Sequence, residues 1–233
     1  MNNEYEKSVR SYKNKRFTYI VVAICLISIT IIVFSGLPQL ESVSVIVPFI
    51  IVMAVLVWLA LALIRLSLSL SLYMVNSCNP EKFKYLYTSL APNNQQGMNF
   101  MSAQYYLGIG EFEVSLDILN RFPEQVQYKY TEFIAYNYFF LNDFSDLEKR
   151  IIKTDKSYYK EFYIAYINSD YNKAIEELNK LNKPQFRFHE MIKYAFYALT
   201  YQKLENIEEA RKYIEKCKEL DHSTFIGKMF VDF

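Results

Sequence analysis

Phe17–Leu37, FTYIVVAICLISITIIVFSGL, is a run of 21 residues without a formal charge. As a helix rising about 1.5 Å per residue, it crosses a hydrocarbon core of roughly 30 Å. A second uncharged run follows, Val43–Ile64, VSVIVPFIIVMAVLVWLALALI, with 22 residues. Both are rich in β-branched residues, which favours buried strands in a soluble protein. Strands rarely exceed about 10 residues, so length decides for two transmembrane helices.

Pro38–Ser42 is long enough only for a tight turn, so the two spans read as a helical hairpin with little chain on the far side. Pro48 falls in the first turns of the second span, where a missing backbone donor costs least and marks a start or a mild kink. Lys7, Arg10, Lys13, Lys15 and Arg16 precede the first span, Arg65 follows the second, and the turn has no basic residue. Basic flanks stay on the cytoplasmic side, which predicts a two-span protein of the inner membrane with both termini cytoplasmic. A cleaved signal peptide is the competing reading. The apolar run is longer than a usual signal core, and no small-x-small cleavage site follows it.

The working division is a basic leader over 1–16, spans over 17–37 and 43–64 joined by 38–42, connecting helices over 65–94, and a soluble helical domain over 95–233. Leucine and serine alternate after Arg65, but a lone strand at a membrane surface leaves its backbone unpaired, so the second helix is expected to run on to about Val75. Asn79-Pro80-Glu81 is a helix-start signature for a helix over 80–90, and Ala91-Pro92-Asn93-Asn94 reads as a loop. Pro123 and Pro184 are expected to open new helices.

Catalytic chemistry finds little support. Only His189 and His222 are histidines, and His189-Glu190 lacks the second histidine that a zinc-protease helix carries. Gly108-Ile109-Gly110 has no preceding strand and no third glycine, so it reads as a turn rather than a nucleotide cradle. Cys25, Cys78 and Cys217 lack the spacing of a disulfide, redox or metal site. No enzymatic activity, metal or cofactor is therefore expected. Beyond Asn76 there are 20 Lys and Arg against 22 Asp and Glu, without the basic stripe of a nucleic-acid binder.

Four segments after residue 95 share one grammar: a helix rich in aromatic and small residues, a brief polar turn, and a second amphipathic helix. The equivalent turn residues are Gly110, Asn142, Ser169 and Glu205. Ala174 and Ala210 follow two of the turns at the same spacing; Ser115 fits that position and Leu147 departs from it. Ala103, Ala135 and Ala198 precede three turns, with Phe162 in the same place before the third. This pattern resembles the tetratricopeptide repeat, a pair of helices of about 34 residues, although the intervals here are irregular. The resemblance implies an all-α fold in which the membrane hairpin carries an α-solenoid of about four helix pairs. Ser223 is expected to cap a short terminal helix that shields the open end of the last pair.

A solenoid of this kind presents the first helix of each pair along a concave face. Tyr136 and Tyr163 are expected to face that groove, with Lys129, Lys156 and Lys160 near its edge and Lys156 placed to meet an acidic group of a ligand. The lysine and asparagine set with which some family members clamp a terminal carboxylate is not recognisable. These features point to a membrane-anchored scaffold or adaptor that holds a protein or peptide partner at the cytoplasmic face of the bilayer. The alternative is an immunity or resistance factor against a membrane-active peptide, with function in the hairpin. Codon bias toward Lys, Asn, Ile and Tyr suggests a bacterial host with an AT-rich genome.

Overall fold

The structure, a computed structural model, describes residues 2–35, 43–71, 73–90, 95–153, 157–221 and 223–230. Among these residues the regular elements are helical, with no strand. The expected turn over 38–42 and the expected loop over 91–94 lie outside the described residues. The chain divides into two units, Met1–Ser71 and Leu72–Phe233.

The first unit is a pair of helices, α1 (Asn2–Ser35) and α2 (Val43–Ser71). They run antiparallel: the Tyr12 hydroxyl near the start of α1 donates to Leu66 O near the end of α2 at 3.0 Å, and Tyr19 meets Trp58 edge to face at 5.9 Å. Both helices are long and apolar enough to cross a bilayer, over Glu4–Val33 and Val47–Ser67. The leader is not a separate segment, since α1 begins at Asn2 and carries the basic residues on the same helix as the apolar run. Helix is described up to Ser71 and again over α3 (Tyr73–Ser77), within the stretch to about Val75 expected to be helical; residue 72 lies outside the described residues. Within α2, Ser69 Oγ donates back to Leu66 O at 2.7 Å, so this serine is satisfied on its own helix.

The second unit opens with α3 and continues into α4 (Pro80–Leu90), which Asn79 caps by accepting the Lys82 amide at 2.9 Å. Four helix pairs follow. They are α5 (Gln95–Ile109) with α6 (Phe112–Asn120), then α8 (Thr131–Phe140) with α9 (Phe144–Ile152), α10 (Lys160–Ile167) with α11 (Tyr171–Lys180), and α12 (Arg187–Lys203) with α13 (Ile207–Leu220). A short α7 (Glu124–Gln127) and a 3-10 turn over Tyr128–Tyr130 join the first two pairs. Pro123 does precede a helix, α7, whereas Pro184 lies in the linker before α12 and opens none.

The turns inside the four pairs are copies of one another. Gly110, Asn142, Ser169 and Glu205 all have left-handed backbone, with φ of 90°, 56°, 59° and 57°. The amide of the next residue then reaches back five positions, Glu111 to Tyr106 O, Asp143 to Tyr138 O, Asp170 to Ala165 O and Asn206 to Tyr201 O, each at 2.9 Å. That is the Schellman closure of a helix C-terminus. Asp143, Asp170 and Asn206 then cap the second helix by accepting the amide three residues on, at 3.2 Å in each case. Glu111 makes no such bond, because its extra methylene carries the carboxylate past the position from which Asp or Asn accepts the amide.

Five positions beyond each left-handed residue stand Ser115, Leu147, Ala174 and Ala210, all fully buried; seven positions before stand Ala103, Ala135, Phe162 and Ala198, also buried. Ser115 Oγ donates to Ala103 O at 2.9 Å, which fastens the helices of the first pair directly. Small residues on facing helices bring the axes together and let the large aromatics pack on the other sides.

The pairs do not end in an open face. The terminal helix α14 (Phe225–Met229) packs on α5, α12 and α13, and Phe225 lies edge to face with Phe112 of α6 and Phe140 of α8, both at 4.8 Å. The element expected to cover only the last pair therefore bridges back to the first two. The residue at its N-cap is Thr224 and not Ser223; no side chain caps the first turn, and Asp221 Oδ1 accepts the Thr224 amide at 2.8 Å. From the other end of the chain α3 packs on α12. Cys78 and Cys217 are buried thiols without a partner cysteine, and burial pushes both pKa values up.

Candidate functional site

The aromatic residues of the first helices converge on Phe196. This ring, buried on α12, lies 4.7 Å from Phe139 of α8 and 4.6 Å from Phe162 of α10, with Tyr159 at 5.1 Å and Tyr163 at 5.6 Å. Tyr136 and Tyr163, which the sequence reading turns toward an open groove, are 1% and 0% exposed. That expectation is corrected. The space a solenoid would leave as a groove between the second and third pairs is filled by α12, so burial of aromatic area draws both tyrosines inward.

The two rings differ in what they reach. Tyr163 ends in a hydroxyl that is buried without a hydrogen-bond partner. Tyr136 extends to the edge of a cavity of about 340 Å³, where its hydroxyl lies 2.7 Å from His189 Nδ1. Glu132 and Tyr136 of α8, Tyr158 and Tyr159 ahead of α10, and His189 of α12 form the body of this cavity, and residues 182–186 close its rim. Of the other expected residues, Lys129 is exposed in the 3-10 turn and Lys160 is half-buried at the start of α10; neither lines the cavity. Lys156 lies outside the described residues.

Glu132 is the residue on which the site turns. It is the sole charge in α8, TEFIAYNYFF. Tyr158 donates its amide to Glu132 Oε1, so the carboxyl acts as a cap, supplied by the preceding pair, for the turn leading into α10. Glu132 Oε2 is buried and without a partner, and the nearby Ser157 hydroxyl completes no bond of good geometry either. Burial outweighs the help from Ser157 and from the amides of Tyr158 and Tyr159, and raises the Glu132 carboxyl to about 7.

The surrounding groups are neutral. Burial holds the His189 imidazole down to about 4, and it pushes the Tyr136, Tyr159 and Tyr163 phenols upward. Tyr159 donates to His189 O at 3.2 Å and Tyr158 to Asn182 O at 2.7 Å, which tie the linker and α12 to the turn before α10. At the rim Lys183 pairs with Glu190 Oε1 at 3.0 Å.

Comparison with family models, curated proteins and solved structures finds no match to this chain. The site therefore has to be read from its own chemistry. Among the described residues no three His, Cys, Asp or Glu side chains come together to hold a metal ion. What the cavity offers is a largely aromatic lining beside the buried carboxyl of Glu132. In the sequence one signal pointed to Glu132, a single carboxylate in an otherwise uncharged aromatic helix; nothing in the spacing pointed to its meeting with His189.

Proposed function

We propose that the chain is a membrane-anchored interaction module: α1 and α2 cross the bacterial inner membrane as a hairpin, and the helical unit beyond Ser71 receives a segment of a partner protein on the cytoplasmic side. The observation that carries this reading is the exposure of the two apolar helices. In their most apolar windows only 11% and 6% of residues are buried within the protein, whereas the core helix of a soluble protein is mostly covered. Surfaces of this kind need a lipid or protein neighbour.

Orientation rests on the basic residues. Lys7, Arg10 and Lys15 surround a shallow depression of about 410 Å³ on α1, and basic side chains at this position favour anionic headgroups by about 1 kcal/mol each. For the soluble unit, the shared left-handed closure of the four turns and the small residues buried at six of the eight flanking positions support tetratricopeptide-like pairs. The closure by α3 and α14 argues for recognition at the junctions between pairs rather than along one continuous groove. Anchoring raises the local concentration of such a site without new contacts.

The test is alkaline extraction of native membranes combined with protease access to a carboxyl-terminal tag. The full chain is expected to stay in the membrane fraction, and the tag to resist protease on intact cells until the membrane is permeabilised. Release by alkali, or digestion of the tag on intact cells, overturns the anchored cytoplasmic reading. Capture of partners from detergent-solubilised membranes by the full chain, lost when residues 95–233 are deleted, tests recognition; unchanged capture overturns it.

A further inference from the structure

The cavity over Glu132 also says which chemical group the partner presents, an inference that rests on the recognition role proposed above. We infer that this cavity is a receptor for a primary ammonium group on an alkyl stem, as a lysine side chain of a partner segment presents it.

Four observations select that group. Glu132 Oε2 is a buried acceptor that no well-aligned donor fills, although the Ser157 hydroxyl and the Tyr159 amide lie near the carboxyl, so it favours an occupant that brings an N–H, and a charged donor makes the stronger bond. The enclosure is aromatic: Tyr136 and Tyr159 centroids are 6.2 Å apart, Tyr136 and His189 5.7 Å, and Phe186 and His189 6.0 Å. The faces of aromatic rings attract cations, repel anions and cover an apolar stem. Lys183, the cation at the rim, is held by Glu190 and so neither repels an incoming cation fully nor supplies an anion site.

The fourth observation separates ammonium from guanidinium. Oε1 is taken by the Tyr158 amide, leaving one carboxylate oxygen instead of two. A planar guanidinium binds best through both oxygens, whereas an ammonium is a point charge with rotatable donors and is satisfied by one. A quaternary ammonium has no N–H to give. At about 340 Å³ the cavity sits at the small end of ligand sites and matches one side chain rather than a larger molecule.

The charge balance is also suited to switching with pH. Tyr136, Tyr158, Tyr159 and Tyr163 face the carboxyl as neutral phenols, His189 faces it from α12 uncharged above about pH 4, and Lys183 stays paired with Glu190. Glu132 is then the group whose charge changes near neutrality, and ammonium binding follows its ionised fraction.

The test uses the full chain in detergent micelles with n-butylammonium as the probe and n-butanol as its neutral counterpart, followed by calorimetry. Butylammonium is expected to bind at pH 8 and butanol not to. Its affinity should fall roughly tenfold per pH unit below about pH 7 as Glu132 gains its proton, and Glu132→Gln should weaken it by roughly tenfold or more. The pH series needs no variant, so it stands even if the substituted chain folds poorly. Arms with Nα-acetyl-lysine methylamide and 1,4-diaminobutane name the source, and tighter binding of the lysine derivative supports a peptide partner. Equal binding of butanol, no binding of butylammonium, tighter binding of the diamine, or an affinity indifferent to pH and to Glu132→Gln overturns the inference. Membrane extraction and partner capture are read separately, so failure here is distinct from failure of the anchored reading.

Discussion

The Tyr136 hydroxyl and His189 Nδ1 lie 2.7 Å apart and join the first helix of the second pair to that of the fourth, beside the carboxyl of Glu132. Burial keeps His189 a neutral ring in a site whose one acid is reluctant to ionise. The two groups pull stability in opposite directions as pH changes.

For Glu132 the folded value is raised from 4.5 to about 7, so its contribution is full at low pH and is lost as pH rises through 7. For His189 the folded value is lowered from 6.5 to about 4, so its contribution is present above 6.5 and is lost as pH falls through 4. Each is on the order of 3 kcal/mol, and between about pH 4.5 and 6.5 they cancel. Glu132→Gln is expected to remove one side of the balance, so that stability falls with acid by about 3 kcal/mol more than in the parent chain between pH 6.5 and 4. Denaturant unfolding of both chains across that range measures the difference; parallel profiles would refute it.

The left-handed turn residues allow a second prediction. Ser169 and Glu205 are exposed and have φ of 59° and 57°, a conformation that glycine adopts without the penalty a side chain meets. Ser169→Gly and Glu205→Gly should each stabilise the soluble unit by about 0.5–1 kcal/mol, whereas Gly110→Ala should destabilise it. At Gly110 the φ is 90° and an added Cβ would stand 3.0 Å from Phe225 Cβ. Thermal unfolding of the three variants orders them, and a loss of stability in both glycine variants contradicts the turn assignment.

Phe196 carries the packing between pairs. Phe196→Ala leaves a cavity shared by Phe139, Phe162 and Tyr163, and should cost about 3–5 kcal/mol, while Phe196→Leu should cost less than half as much. Chemical denaturation gives both values. A cost near 1 kcal/mol for the alanine variant would mean that the aromatic centre is not formed as described.

The bridge from α14 predicts long-range coupling. Phe225→Ala removes the contacts to Phe112 and Phe140 and should speed amide exchange in α6 and α8, far away in sequence, as well as near the carboxyl end. Hydrogen exchange by mass spectrometry shows which helices respond. Effects confined to α13 and α14 would count against the bridge.

Much of this protein was legible from local chemistry. Two uncharged runs longer than any ordinary strand specify long apolar helices, because helix length and charge depend on the segment alone. The turns at Gly110, Asn142, Ser169 and Glu205 were also visible, since a left-handed closure followed by a polar cap is completed within a few residues. Tertiary structure alone decided that Tyr136 and Tyr163 point inward, that α14 returns to the first pair, and that Glu132 meets His189. Those outcomes depend on how α12 fills the space between other helices, and burial has no period along the chain from which such a meeting can be read.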